Sequence, residues 1–299
     1  LHLQGAGVTP EELHSTLQLE VQASHLGPLT FQPSVIHLEA AQQRLQIQRL
    51  ELQTSMASLL ASGTLDFRGT SDLQYELTGE LAGLRQLLGT PELAGAIQLQ
   101  GQAHGGWPDL RVEGSPAGSG VQYEEHRLQE LQLTYTATAL GEQPEVTAHL
   151  LAQQARLSTL PVQRLALEVA YQGAKQQAQF SLEVIQAAEA GGKAHGTLTF
   201  GATEQELILE DLLIRLPRHP WQLQAPWQVT FGAQQWRMSP LQLTHAAESI
   251  SLSGAMAGEQ LQDIQLRVSQ LDLSYLQQLF QLPPAMAGGA SAELQLTGT

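Results

Sequence analysis

Leu165-Ala-Leu-Glu-Val-Ala-Tyr171 and Phe180-Ser-Leu-Glu-Val184 set a large apolar side chain at every second position. Successive side chains of a β-strand point to opposite faces, so Leu165, Leu167, Val169 and Tyr171 share one face while Glu168 takes the other. A helix would need apolar spacings of three and four, which neither stretch has. Both are strands with one oily side.

The same rhythm runs outward in both directions. It recurs at Leu17–Leu19–Val21, Leu73–Tyr75–Leu77, Leu131–Leu133–Tyr135, Leu207–Leu209, Trp227–Val229–Phe231 and Ile264–Leu266–Val268. Gln, Glu, Thr, Ser and Arg fill the alternate positions. One-sided alternation of this kind predicts antiparallel sheet with one wetted face. Gly69, Gly101, Gly114-Ser-Pro116, Gly141, Gly191-Gly192 and Gly201 are expected to punctuate it as turns, and Gly114–Gly120 (GSPAGSG) reads as a loop. Leu81–Leu88 and Leu271–Leu279 have spacings nearer three and four, which predicts one short helix in each.

An internal repeat underlies the pattern. At an offset of 191, Leu45 aligns with Trp236, Ile47 with Met238, Leu50 with Leu241, Leu52 with Leu243, Gly63 with Gly254 and Leu77 with Val268. Both copies read strand, strand, strand, short helix, strand. Self-similarity at a fixed spacing encodes elongated, quasi-one-dimensional proteins. The expected organisation is a first β-groove unit over 1–110, connecting strands over 111–219 and a second copy over 220–299. Because the chain opens and closes in mid-pattern, it is expected to be one module of a longer protein.

Composition removes several functions. The net charge is −15 and the only lysines are Lys175 and Lys193, so no basic patch exists to hold nucleic acid or an anionic membrane surface. Cysteine is absent, which excludes disulfides and thiolate metal sites. No apolar run approaches the eighteen or so residues of a membrane span. The catalytic motifs are missing as well: there is no nucleophile elbow or Walker lysine, and Gly5-Ala-Gly7 lacks a third glycine. The ten histidines, His219 among them, are dispersed with no i, i+4 pair, and read as solvated strand or turn residues. Glu124-Glu125-His126 reads as a turn. Trp221, Trp227 and Trp236 suit either a ligand groove or a filled core, and Trp107 suits a turn anchor. No enzyme activity, cofactor or metal is expected.

Two segments carry a family likeness: Ala61-Ser-Gly-Thr-Leu-Asp-Phe-Arg-Gly69, and the run Asp263–Phe280 followed by Gly289 and Leu294-Gln-Leu-Thr-Gly298. A strand leading into a Leu-rich short helix and then a Gly-x-Leu-x-Leu-x-Gly strand resembles the units of TamB and its AsmA-like relatives, bridge-like lipid transfer proteins of the translocation and assembly module. That resemblance implies a mainly β fold: an elongated, curved, mostly antiparallel β-sheet groove (a β-taco) with short helices between repeat units. It further implies the periplasm of a Gram-negative cell, an inner-membrane anchor outside this chain, phospholipid acyl chains as cargo and contact with an outer-membrane barrel assembly protein through other regions.

Elementary energetics point the same way. Exposing an acyl chain to water costs roughly 0.8 kcal/mol per CH₂, about 12 kcal/mol for sixteen carbons. Only continuous apolar surface removes such a barrier. The residues expected to supply it are Leu45, Ile47, Leu50, Leu52, Tyr75, Leu77, Leu133, Leu167, Val169, Trp227, Val229, Phe231, Trp236, Met238, Leu241, Leu243, Leu266 and Val268, with a slip of parity between Ile47 and Leu50. A ligand-free β scaffold, sandwich or solenoid, would show a similar sequence. A membrane barrel would need more than 5% aromatic residues for its girdles, and a glycosidase would need paired carboxylates in an aromatic cleft.

Overall fold

The computed structural model describes residues 2–6, 14–26, 29–83, 93–141, 143–158, 160–186, 190–216, 219–233, 235–258, 260–272 and 288–296. The chain forms two compact units, Leu1–Ala174 and Lys175–Thr299, a division that falls inside the segment expected to connect the two copies. Both units are antiparallel β-sheet.

The first unit contains β1 (His2–Ala6), β2 (His14–Val21), β3 (Ser24–Leu26), β4 (Leu29–Phe31), β5 (Ser34–Ala41), β6 (Arg44–Gln53), β7 (Ala57–Asp66), β8 (Ser71–Glu80), β9 (Leu93–Gly105), β10 (Arg111–Tyr123), β11 (His126–Thr138), β12 (Glu145–Leu157) and β13 (Leu160–Gln172). Strands β3 and β4 form a separate two-stranded hairpin, tied to the end of β6 by a bridge between Phe31 and Thr54. All the others form a meander in which each strand pairs antiparallel with the next.

The second unit contains β14 (Gln177–Ile185), β15 (Gly191–Phe200), β16 (Glu204–Leu216), β17 (His219–Leu223), β18 (Trp227–Gly232), β19 (Gln235–His245), β20 (Glu248–Ala257), β21 (Gln260–Asp272) and β22 (Gly289–Leu296). It too is a meander, with one fork: β17 and β18 share the long strands β16 and β19, lying end to end between them.

Adding 191 to the bounds of β6 and β7 gives 235–244, which lies within β19, and 248–257, the bounds of β20. The parity slip expected between Ile47 and Leu50 is a β-bulge, and the β19–β20 ladder has its own bulge at the aligned pair, Met238 and Leu241. A bulge inserts one extra residue, so two apolar side chains three positions apart reach the same face.

Several sequence expectations need correction. Gly114–Gly120 is no loop: it lies within β10, paired on both flanks with β9 and β11. Ladders on both sides override the weak intrinsic strand preference of Gly, Ser and Pro. Gly101, Gly191 and Gly192 likewise sit inside strands, whereas Gly69, Gly141 and Gly201 lie between them. Leu81–Gly83 is helical, and the remainder of that expected helix lies outside the described residues. Leu271 and Asp272, expected to open the second helix, close β21 instead; the rest of that segment is again outside the described residues.

Gly63 and Gly254 occupy equivalent places but meet different constraints. Gly63 has φ +125°, and a Cβ there would strike the Asp72 carbonyl and lie 2.8 Å from Leu73 Cα. At Gly254 the nearest atom is the Ile264 side chain, at 2.9 Å, and the backbone is unstrained. Gly63→Ala is therefore expected to lower the unfolding free energy by about 2–3 kcal/mol, and Gly254→Ala by about 1 kcal/mol. Urea denaturation followed by circular dichroism checks the order; equal losses would refute the strain at Gly63.

Candidate functional site

Cross-strand register turns separate alternations into a continuous face. In the first unit Leu19, Ile36, Leu50, Ala61, Tyr75, Gly101, Gly114, Tyr135, Ala148 and Val169 are successive partners, one on β2 and one on each strand from β5 to β13. Parallel rows run beside it. Leu52, Leu59, Leu77 and Leu99 form one, and Leu133, Leu150 and Leu167 form another. Leu45 and Ile47 sit on the same side through Ala40 and Leu38.

The second unit repeats this arrangement. Leu209 faces Trp227, Leu207 faces Val229 and Gln205 faces Phe231; beyond them Val229 meets Met238 and Phe231 meets Trp236. Leu241 and Leu243 continue through Leu252 and Ile250 to Leu266 and Val268. All nine first-unit candidates share one face of their sheet, and all nine second-unit candidates share one face of theirs.

Burial decides what kind of face this is. Ile47, at 9% exposure, is the only one of the eighteen that is buried; the other seventeen are half-buried. In a sealed sandwich the inner side chains of facing sheets interdigitate and lose nearly all contact with water. Here the oily side chains are shielded by their neighbours along the sheet and keep part of their surface accessible. The opposite face is wet, with ion pairs such as Arg49–Glu51 (2.7 Å) and Arg111–Glu113 (2.9 Å). The Glu113 carboxyl is held below the usual range by hydrogen bonds from Gln102 and then Arg111.

One feature of the first unit was not legible as a pair. Tyr75 on β8 and Tyr135 on β11 lie three strands apart, about 14 Å at ordinary strand spacing, yet their hydroxyls meet at 2.7 Å. They manage this because their row partners in between are Gly101 and Gly114. A Cβ at Gly101 would collide with the Tyr75 ring, and one at Gly114 would lie 2.8 Å from Tyr135 Oη, so each ring lies flat across a glycine. Burial, followed by the hydrogen bond that the Tyr75 hydroxyl makes with Tyr135, pushes the Tyr75 phenol up to about 12. A concavity of about 810 Å³ lies behind this row, on the wet face, where Gln74, Gln100 and Glu113 line it.

The tryptophans divide. Trp221 is buried at 4% exposure and fills space, Trp227 and Trp236 are half-buried on the apolar face, and Trp107 is exposed in a turn. Glu124 and Glu125 form the β10–β11 turn, and His126 Nδ1 accepts a hydrogen bond from the Ser158 amide at 3.1 Å. Folding also brings His219 beside Glu248 and Asp272, with donor atoms within 4.8 Å of one another and Glu248 Oε2 buried without a hydrogen-bond partner. Among the described residues these three could hold a cation. Their separation along the chain hides the grouping from any spacing motif.

A match to the family model described as TamB, N-terminal domain, covers residues 18–298. The chain belongs to this TamB family. TamB-family members are known as non-enzymatic transport and assembly proteins. No curated protein matches the chain significantly. Among the described residues of this TamB-family domain, no helix is long and apolar enough to cross a membrane.

The raised Tyr75 phenol carries a testable sign. A group protonated more tightly in the folded state stabilises it fully below the unfolded pKa and loses that contribution as pH climbs through the folded value. Stability should therefore fall between about pH 10 and about 12. Absorbance titration at alkaline pH should show a late-ionising tyrosine that Tyr75→Phe removes; an unchanged titration would refute the buried pair.

Proposed function

We propose that this chain is a non-enzymatic periplasmic groove that carries phospholipid acyl chains between the inner and outer membranes, as part of an inner-membrane-anchored protein of a Gram-negative cell. Membership of the TamB family supports the coarser role, lipid transfer or support of outer-membrane assembly. The observation that carries the finer one is the half-buried state of the apolar rows, seventeen of eighteen candidate side chains remaining partly accessible. Contact with an outer-membrane barrel assembly protein would fall to regions outside this chain.

The physics of the cargo explains the form. An acyl chain needs apolar contact along its length, and the rows offer it on strand after strand within each unit. Charged headgroups would stay in water, where the net charge of −15 gives an anionic headgroup no foothold. Movement along such a surface requires no proton transfer, metal or nucleophile, because each step exchanges one apolar contact for an equivalent one.

Val169 and Val229 are half-buried members of the two apolar faces, one in each unit. Val169→Asp and Val229→Asp are each expected to reduce co-purified phospholipid, measured by mass spectrometry of organic extracts, at least severalfold with the β-sheet circular dichroism retained. A charge on an open face keeps its water, whereas one in a sealed core is left unpaired and unfolds the protein. Collapse of the sheet in both variants, or no phospholipid in the unmutated chain, would favour a ligand-free scaffold.

A further inference from the structure

Aromatic rings lying over glycines occur in both units, and the comparison separates packing from recognition. In the second unit Phe180 on β14 faces Gly196 on β15, and its ring lies 3.0 Å from where a Cβ would stand. A benzyl ring alone fills that notch. In the first unit two such rings, Tyr75 over Gly101 and Tyr135 over Gly114, carry hydroxyls in addition. Filling the notch does not require them.

Those hydroxyls form a polar island. The neighbouring positions on the same face include Leu73, Leu77, Leu99, Ala103, Val112 and Leu133, all without a polar side-chain atom. Two hydroxyls hold two protons. One proton is used in the 2.7 Å bond between them, and the described residues show no acceptor for the other. A donor on an oily surface selects a ligand that brings an acceptor flanked by hydrocarbon.

We propose that the Tyr75–Tyr135 hydroxyl pair is a recognition point for the ester carbonyl of acyl glycerolipids seated on the apolar face. This rests on the lipid-groove reading and sharpens it: the cargo is registered by its ester linkage as well as by its chains. The carbonyl oxygen accepts the free hydroxyl proton, while the acyl chain and glycerol side lie along the flanking leucines. Free hydrocarbon and ether-linked chains fit the same surface but leave the donor unanswered.

The test offers the whole chain an equimolar mixture, in vesicles, of two phosphatidylcholines that share headgroup and chain length, one ester-linked and one ether-linked. Retained lipid is quantified by mass spectrometry after gel filtration. The unmutated protein should take up the ester form in roughly three- to tenfold preference, the worth of one net hydrogen bond. The Tyr75→Phe/Tyr135→Phe double variant keeps both rings over their glycines and should bring that ratio to about one. Equal uptake by the unmutated chain, or a preference that survives in the double variant, overturns the recognition point and leaves the groove standing. Retention of neither lipid sinks both.

Discussion

Everything described here depends on register. Side chains of a strand alternate with period two, so a slip of one residue between neighbouring strands would send a whole apolar set to the wet side. The ladders prevent this by pairing Leu with Leu, or Leu with Ala or Gly, row after row across each unit. Where the alternation itself stumbles, as between Ile47 and Leu50 or Met238 and Leu241, a bulge absorbs the extra residue and restores the face. Hydrogen bonding thus fixes not only the fold but the continuity of the surface on which the proposed activity rests.

Small residues shape that surface as much as large ones. Gly101 and Gly114 leave hollows that neighbouring tyrosines fill, and Gly196 leaves one for Phe180. The face is kept level by sharing volume between strands. Such sharing explains how a stretch rich in glycine and serine, Gly114–Gly120, serves as a strand in mid-sheet: its missing side chains are supplied from next door.

Much of this was legible from the residues. Alternation at Leu165–Tyr171 and its counterparts gave strand, face and fold class, because the period-two signal is local and each strand carries it independently. The eighteen lining candidates share a face within their unit for the same reason. Whatever depends on which strand lies beside which was hidden. Gly101 and Gly114 looked like turn residues, since only their row partners show that they receive a ring. Tyr135 met Tyr75 across 60 residues of chain, and His219, Glu248 and Asp272 converged from three different strands. One-dimensional spacing carries no trace of such contacts.

The openness of the apolar face is the central claim, and quenching of tryptophan by bromine-labelled acyl chains addresses it directly. Variants retaining a single tryptophan, either Trp236 on the apolar face or Trp107 in its exposed turn, would be mixed with vesicles of phospholipid brominated along the chain. An open face that takes up acyl chains predicts strong quenching of Trp236 and little of Trp107. Equal quenching at the two positions, or none at Trp236 in a folded protein, would contradict it.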